Sequence, residues 1–427
     1  MPTSTRGILA SAGYVPYRRL QRSAIREFAG AGGGKGTRSV ASFDEDTTTM
    51  AVEAARLLAD PPRPDALWFA TAEPAYLDKT NANAIHTALR LDDDVAAMDM
   101  GGAIRSGIGA LKVALEGNGT TLVVASDMRT GQPTSADESQ GGDAAAAMLV
   151  GEGDVVATYL GGASATREFL ERWRTPGSRR SRAWEDRFGE SMYAPLAEQA
   201  WNAALKTADV TEVDVLAVAG MHARSVARVS KRLGVAKTID LSATVGDTGT
   251  AHALLLLAGA LEAAEPNQVV AVVGLSDGAD VLVFRTQKTS TPKRTVEAQI
   301  ADAADVSYSR FLSWRGMLQP EGPNRPEPAR VSAPAAERGS DWKFGFEPFG
   351  ASHGTIVTFT VDRLAYSPSP PIVFAIVDFD EGGRSPIELT DVDADSLKVG
   401  DRVEPTFRRL STADGIHNYF WKAKPQR

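Results

Sequence analysis

The chain has 427 residues, 43% hydrophobic and 23% charged, with a formal net charge of −8 at pH 7. That length accommodates two or three domains, and the acidic balance argues against a general nucleic-acid binder. There is no cysteine, which excludes disulfides and thiolate metal sites. No apolar run approaches the roughly 18 residues of a membrane span, and the opening MPTSTRGILASAGYVPYRRL lacks a leader's long apolar stretch. The expectation is a cytoplasmic protein with no membrane partner and no nucleic-acid partner.

Residues 1–150 read as α/β. The glycine-rich run AGAGGGKG (29–36) is no phosphate loop, because Lys35 is followed by glycine rather than Ser or Thr. Strands are expected at 66–72, 96–100 and 121–127, and helices at 47–59, 81–90 and 103–116. Short apolar strands alternating with such helices predict a mostly parallel sheet. Between Asp99 and Leu111 a buried strand end turns into a helix and aims one side chain at the helix N-terminus. An activated thiolate would gain most from the exposed N–H groups there. The side chain is Ile104, so any chemistry must proceed without a thiolate. GGDAAAAMLVG (141–151) enters a further strand.

The charged, aromatic stretch 167–196 interrupts this alternation and reads as a pocket cover or a subunit contact. The α/β logic then repeats, with a strand at 213–220, helices at 221–234 and 250–265, and a two-strand return at 269–286. After Thr286 come a helical segment and the Pro-rich run 319–339, read as an extended linker. Beyond 350 the pattern changes to short strands with turns, which fits a small closed β-barrel of the OB type. Its aromatic residues alternate like core residues, and its DFDEGG and DVDAD segments oppose a phosphate track.

The first two-thirds resembles the thiolase superfamily, especially its hydroxymethylglutaryl-CoA synthase and ketosynthase-III-like branches. FATAEPAY (69–76) matches the family's acid at Glu73, and AIRSG (103–107) its nucleophile segment, with Ile104 at the cysteine position. AGMH (219–222) matches its histidine at His222. GDTG (246–249) matches a Gly-Asn-Thr turn with Asp247 in place of asparagine, and GLSDGA (274–279) a glycine-rich return loop. The last third resembles the DUF35-type OB-fold proteins that accompany many of these enzymes. Those proteins usually carry a zinc ribbon. Here WKFGFEPFG (342–350) runs almost directly into the barrel with no cysteine nearby, so no metal is expected.

The resemblance implies a duplicated αβαβα body followed by an OB barrel. The expected boundaries are 1–152 and 153–290 for the two halves, 291–350 for the linker and 351–427 for the barrel. It implies a homodimer, with a partner enzyme as an added possibility, acting on acyl-CoA or carrier-linked thioesters. CoA then enters as part of the substrate, with no bound cofactor. It places Ile104, Arg105, Ser106, Gly246, Ser276 and Gly278 around the substrate.

Isoleucine cannot hold an acyl group, but an aldol or retro-aldol step needs only a general base and an oxyanion stabiliser. His222 is the leading base or donor, Asp247 its orienting partner and Glu73 a second acid/base group, with Tyr76 and Tyr193 as phenolic donors. Arg129, Arg174 and Lys231 are candidates for CoA phosphate. Each has a plainer alternative: Glu73 as a turn residue, His222 or Asp247 as a helix cap, Arg105 in an ion pair, His86 and His252 as structural groups. The alternative function is a non-catalytic protein that binds thioesters, channels an intermediate or organises partner enzymes.

Overall fold

The computed structural model describes residues 6–178, 180–319, 321 and 353–427. WKFGFEPFG and most of the Pro-rich run therefore lie outside the described residues. A ten-stranded mixed sheet organises the body. At its centre Arg6–Tyr14 pairs antiparallel with Asp143–Glu152 and, at Gly7 and Ile8, with Ala157–Thr166. One flank continues through Thr121–Met128, Ala66–Ala70 and Ala96–Asp99, which are mutually parallel. The other continues through Gly278–Thr286 to Val269–Leu275, Val215–Gly220 and Lys237–Ile239, and these last three are again parallel.

The central strand shows why the sequence reads as it does. Ala144, Ala146, Met148 and Val150 belong to one buried cluster, and Ala145, Ala147 and Leu149 to another. Successive side chains point to opposite faces, so a strand covered on both sides is apolar throughout. Helix His252–Ala263 packs in the first cluster and helix Thr47–Arg56 in the second.

Two segments differ from expectation. The stretch 167–196 holds a small hairpin, Arg172–Trp173 with Arg182–Ala183, and then the start of the 23-residue helix Asp186–Ala208. Tyr193, Leu196, Ala197, Ala200, Trp201 and Ala204 recur at helical spacing and are buried against the second-half strands, which sustains the helix through Pro195. After Thr286, helix Val296–Ala301 is tied into the body rather than left as a tether. Gln299 donates from Nε2 to the Gly13 carbonyl at 2.8 Å and accepts from the Val15 N–H at 2.9 Å.

The C-terminal strands, Gly354–Asp362, Ile372–Phe379, Arg384–Leu389, Arg402–Ala413 and Ile416–Pro425, close into a barrel. Ile356, Val373, Val377, Leu389 and Val403 are among its filling. Phe407, Tyr419 and Trp421 instead join the cluster around helix Thr47–Arg56. The barrel's most aromatic hairpin thus serves the seam with the body, not the barrel's own core.

Charge is buried along the same seam. Arg408 meets Glu45 at 2.8 Å and Asp391 at 3.0 Å, Lys422 meets Asp44 at 3.0 Å, and Lys424 meets Glu53 at 2.7 Å. Tyr419 donates to Asp46 at 2.8 Å. Among the described residues no helix is long and apolar enough to cross a membrane, and no cluster of three His, Asp or Glu side chains is placed to hold a metal ion.

Candidate functional site

Beyond strand Ala96–Asp99 the chain crosses Gly101–Arg105 and enters helix Ser106–Glu116. Ile104 sits in this crossing, half-buried, and lines a cavity of about 280 Å³. The hairpin side supplies Glu171, Arg172 and Arg174, while Tyr193, Met221 and Ser276 come from the second half. The stretch 167–196 thus contributes part of the lining of this cavity.

The neighbours of Ile104 face elsewhere. The Arg105 guanidinium donates to both carboxylate oxygens of Asp280, at 2.6 and 3.1 Å, and to the Asp277 carbonyl at 3.1 Å. It clamps the return turn in an ion pair, and the hydrogen bond to Asp280 raises its pKa further. Ser106 donates back to the Gly101 carbonyl at 3.3 Å. Gly278 has φ +142°, and a Cβ there would lie 2.5 Å from the Ala165 carbonyl oxygen, so its role is to let two strands meet.

Three arginines border the cavity. Arg129 pairs with Asp127 at 3.2 Å, Arg172 with Asp137 at 2.7 Å, and Arg174 with Glu73. The Nε atoms of Arg129 and Arg172 are buried without a partner among the described residues. Glu73 reaches the cavity only through Arg174, and its own side chain is 40% exposed. Tyr76 lies at the barrel seam: its hydroxyl accepts the His417 N–H at 2.8 Å, and its ring stands 5.4 Å from that imidazole. Tyr76 is not among the residues that line the cavity under Ile104.

His222 caps helix Ala223–Leu233. Its Nδ1 accepts the Ser225 N–H at 3.1 Å and lies 2.8 Å from the Ser225 hydroxyl, while Nε2 is buried with no hydrogen-bond partner among the described residues. Tyr193 is also buried, packed edge-on against Phe169, and donates to Glu171 at 3.3 Å. Burial pushes the Tyr193 phenol and the Glu171 carboxyl above their ordinary pKa values.

Asp247 lies in a second cavity of about 320 Å³, which also contains His252. Asp247 Oδ1 accepts the Gly249 N–H at 2.8 Å in a capping role, while Oδ2 is buried without a hydrogen-bond partner among the described residues. His252 Nδ1 accepts the Thr248 N–H at 3.3 Å. Gly246, with φ +89°, passes so close to Gly141 that a Cβ would sit 2.6 Å from its carbonyl oxygen. Met221 lines both cavities, and the Asp137–Arg172 pair spans between their linings. The structure thus gathers Ile104, Tyr193 and Ser276 in one cavity and puts Asp247 in the other.

Residues 350–408 match the family described as the ChsH2 C-terminal OB-fold domain. The body is similar to hydroxymethylglutaryl-CoA synthases. That of Thermococcus sibiricus is 26% identical over 341 residues, covering 74% of this chain and 97% of the relative. That of Caldivirga maquilingensis is 28% identical over 357 residues, covering 73% and 98%. Among solved structures, an HMG-CoA synthase complexed with CoA superposes with a TM-score of 0.61 at 17% identity, over 72% of this chain and 89% of that one. MvaS in complex with 3-hydroxy-3-methylglutaryl coenzyme A gives 0.60 at 20% identity, over 77% and 95%. The chain thus joins a core similar to hydroxymethylglutaryl-CoA synthases to a region matching the ChsH2-type OB-fold domain. A 3-oxoacyl-(acyl carrier protein) synthase III from Pseudomonas aeruginosa shares the core's fold with a TM-score of 0.59 at 17% identity, over 67% of this chain and all of that one.

Within this synthase-like core, sequence reasoning missed Glu171 and Arg172. Both stand in a charged stretch where spacing carries no signal. The only cue was that so charged a segment interrupts an α/β alternation.

Proposed function

We propose that the protein binds acyl-CoA or carrier-linked thioesters and makes or breaks a carbon–carbon bond by aldol or retro-aldol chemistry without an acyl-enzyme. The observation that carries this reading is the cavity under Ile104. It has no nucleophile at the helix entrance, yet Tyr193 and Glu171 border it. The similar structures hold CoA and 3-hydroxy-3-methylglutaryl coenzyme A, which favours a CoA thioester as ligand.

In the retro-aldol direction a base takes the proton of the β-hydroxyl. The O–H electrons form the new carbonyl, the Cα–Cβ pair moves into the thioester carbonyl as an enolate, and one proton returns to Cα. The aldol direction is the reverse. Such a step needs proton transfer and charge stabilisation but no covalent intermediate. His222 stands behind the cavity wall, Glu73 positions Arg174, and Asp247 with Gly246 shapes the adjoining cavity for the rest of the ligand.

The matching strand orientations on the two flanks support a duplicated unit, with halves at 1–152 and 153–290 and a barrel from 351. A cytoplasmic homodimer completes the proposal. A second reading, a thioester-binding scaffold, is favoured by the hydrogen bonds that fix His222 and Arg105 in structural roles.

The test is mass-spectrometric turnover of short-chain and branched β-hydroxyacyl-CoA thioesters, with released aldehydes and ketones monitored. A Tyr193-dependent carbonyl product supports the enzyme. Full recovery of every thioester, together with saturable binding, selects the scaffold.

A further inference from the structure

Gly189, within helix Asp186–Ala208, marks where two side chains converge. A Cβ at this glycine would lie 2.9 Å from Glu171 Cγ, 2.9 Å from His222 Nε2 and 2.8 Å from His222 Cδ2. Any larger residue would occupy the place where the carboxyl arm and the imidazole approach each other. Glu171 and Tyr193 are each 3% exposed and His222 8%, so the three form one buried group. Glu171 and Tyr193 line the cavity, whereas His222 does not.

The proton positions follow from the hydrogen bonds. Ser225 N–H donates to His222 Nδ1, so that nitrogen is an acceptor and the neutral ring carries its proton on Nε2. This Nε2–H is a buried donor lacking an acceptor. An unpaired buried donor is costly, so its retention beside a carboxyl group calls for an explanation.

We propose that Glu171 and Tyr193 are the acid/base pair of the cavity, and that His222 is a positioning residue holding Glu171 from behind across the gap left by Gly189. The inference rests on the thioester reading above and assigns its proton steps. The substrate β-hydroxyl proton passes to the Tyr193 oxygen as the Tyr193 proton passes to Glu171. The Cα–Cβ bond breaks, and the proton returns along the same path to Cα. Burial favours the neutral carboxyl group this relay creates. The titratable groups facing Glu171 are Arg172, His222 and Asp277, and Arg105 and Asp277 face Tyr193. Glu73 has no part in the relay.

The experiment uses the full chain and has two arms. In the first, Glu171→Gln and Tyr193→Phe are compared with Tyr76→Phe on β-hydroxyacyl-CoA thioesters. Losses of about 100-fold or more in kcat are expected for the first two, with KM within a few-fold, and near-normal turnover for the third. His222→Asn should displace the acidic limb of the kcat/KM pH profile, which a purely structural cap would not move. Retention of turnover by Glu171→Gln overturns the proposal.

The second arm needs no turnover. The chain has five histidines, so ¹⁵N spectra can isolate the His222 Nε2–H resonance. It should move in Glu171→Gln and stay in Tyr76→Phe. An unmoved resonance overturns the proposal even if thioesters react. If no thioester reacts but the resonance moves, the reaction reading fails while the Glu171–His222 pairing stands.

Discussion

The barrel seam and the cavity bury comparable chemistry to opposite ends. At the seam, Arg408, Lys422 and Lys424 each meet a carboxylate within 3.0 Å. At the cavity, the Nε atoms of Arg129 and Arg172 are buried without hydrogen-bond partners among the described residues. The seam sets each buried cation against an opposite charge, although Arg408 Nη1 and both Asp44 carboxylate oxygens lack a hydrogen-bond partner among the described residues. The seam is filled by packed side chains, whereas the arginines of the cavity border open space.

The comparison breaks first at Arg408. Replacing it with Met strands Glu45, Asp391 and Asp44 in the interior, and a loss of about 3–5 kcal/mol is expected from urea unfolding of the full chain. A loss below about 1 kcal/mol would mean that the seam is wet and its charges are not held as a set.

On the cavity side, Gly189→Ala drives a methyl group between Glu171 and His222. Overpacking of this kind costs about 1–3 kcal/mol. Turnover should fall further than stability, because the carboxyl group is displaced from its neighbour. Equal losses in thermal stability and activity would remove the special status of that gap.

The seam also carries two carboxylates with opposite pH behaviour. Burial raises Glu45 to about 7, whereas Glu53, which burial alone would raise, is held down to about 2 by Lys424 and Arg56. The folded pKa of Glu45 lies above its ordinary 4.5, so its contribution is complete below that pH and is lost as pH rises through about 7. Glu53 contributes fully above 4.5 and loses that contribution as pH falls through about 2. In urea titrations at several pH values, Glu45→Gln should relieve the decline between pH 4.5 and 7, while Glu53→Gln should destabilise at neutral pH. Parallel pH curves for both variants would refute the assignment.

The smallest effect belongs to Tyr76→Phe, which removes one hydrogen bond to the barrel, about 1 kcal/mol. A large loss of turnover in this variant would restore Tyr76 to the reacting groups.

The body was legible in sequence wherever one local period decides the structure. AAAAMLV announces a strand covered on both faces, and VVAVVGL followed by a Gly turn announces an antiparallel return. Helix Asp186–Ala208 was hidden because its first turns carry charges such as Asp186 and Glu190, which pair with Arg224 and Arg228, so only its later turns show the apolar spacing. The seam was hidden for a different reason. Asp44 with Lys422, and Asp46 with Tyr419, are partners separated by most of the chain, and one sequence holds no record of such meetings. Ile104 stood out because a strand-to-helix turn singles out one side chain. Glu171 did not, since its meaning depends on a glycine on the neighbouring helix.

The burial of Arg408 and Glu45 also governs how the barrel answers to its solvent. Mobile ions screen charges they can approach, and the side chains of this pair are 0% and 1% exposed. Concentrated sodium chloride should therefore weaken exposed pairs such as Arg63–Asp92 and leave the barrel docked. Urea, which solvates the apolar and peptide surface around Trp421, should loosen it.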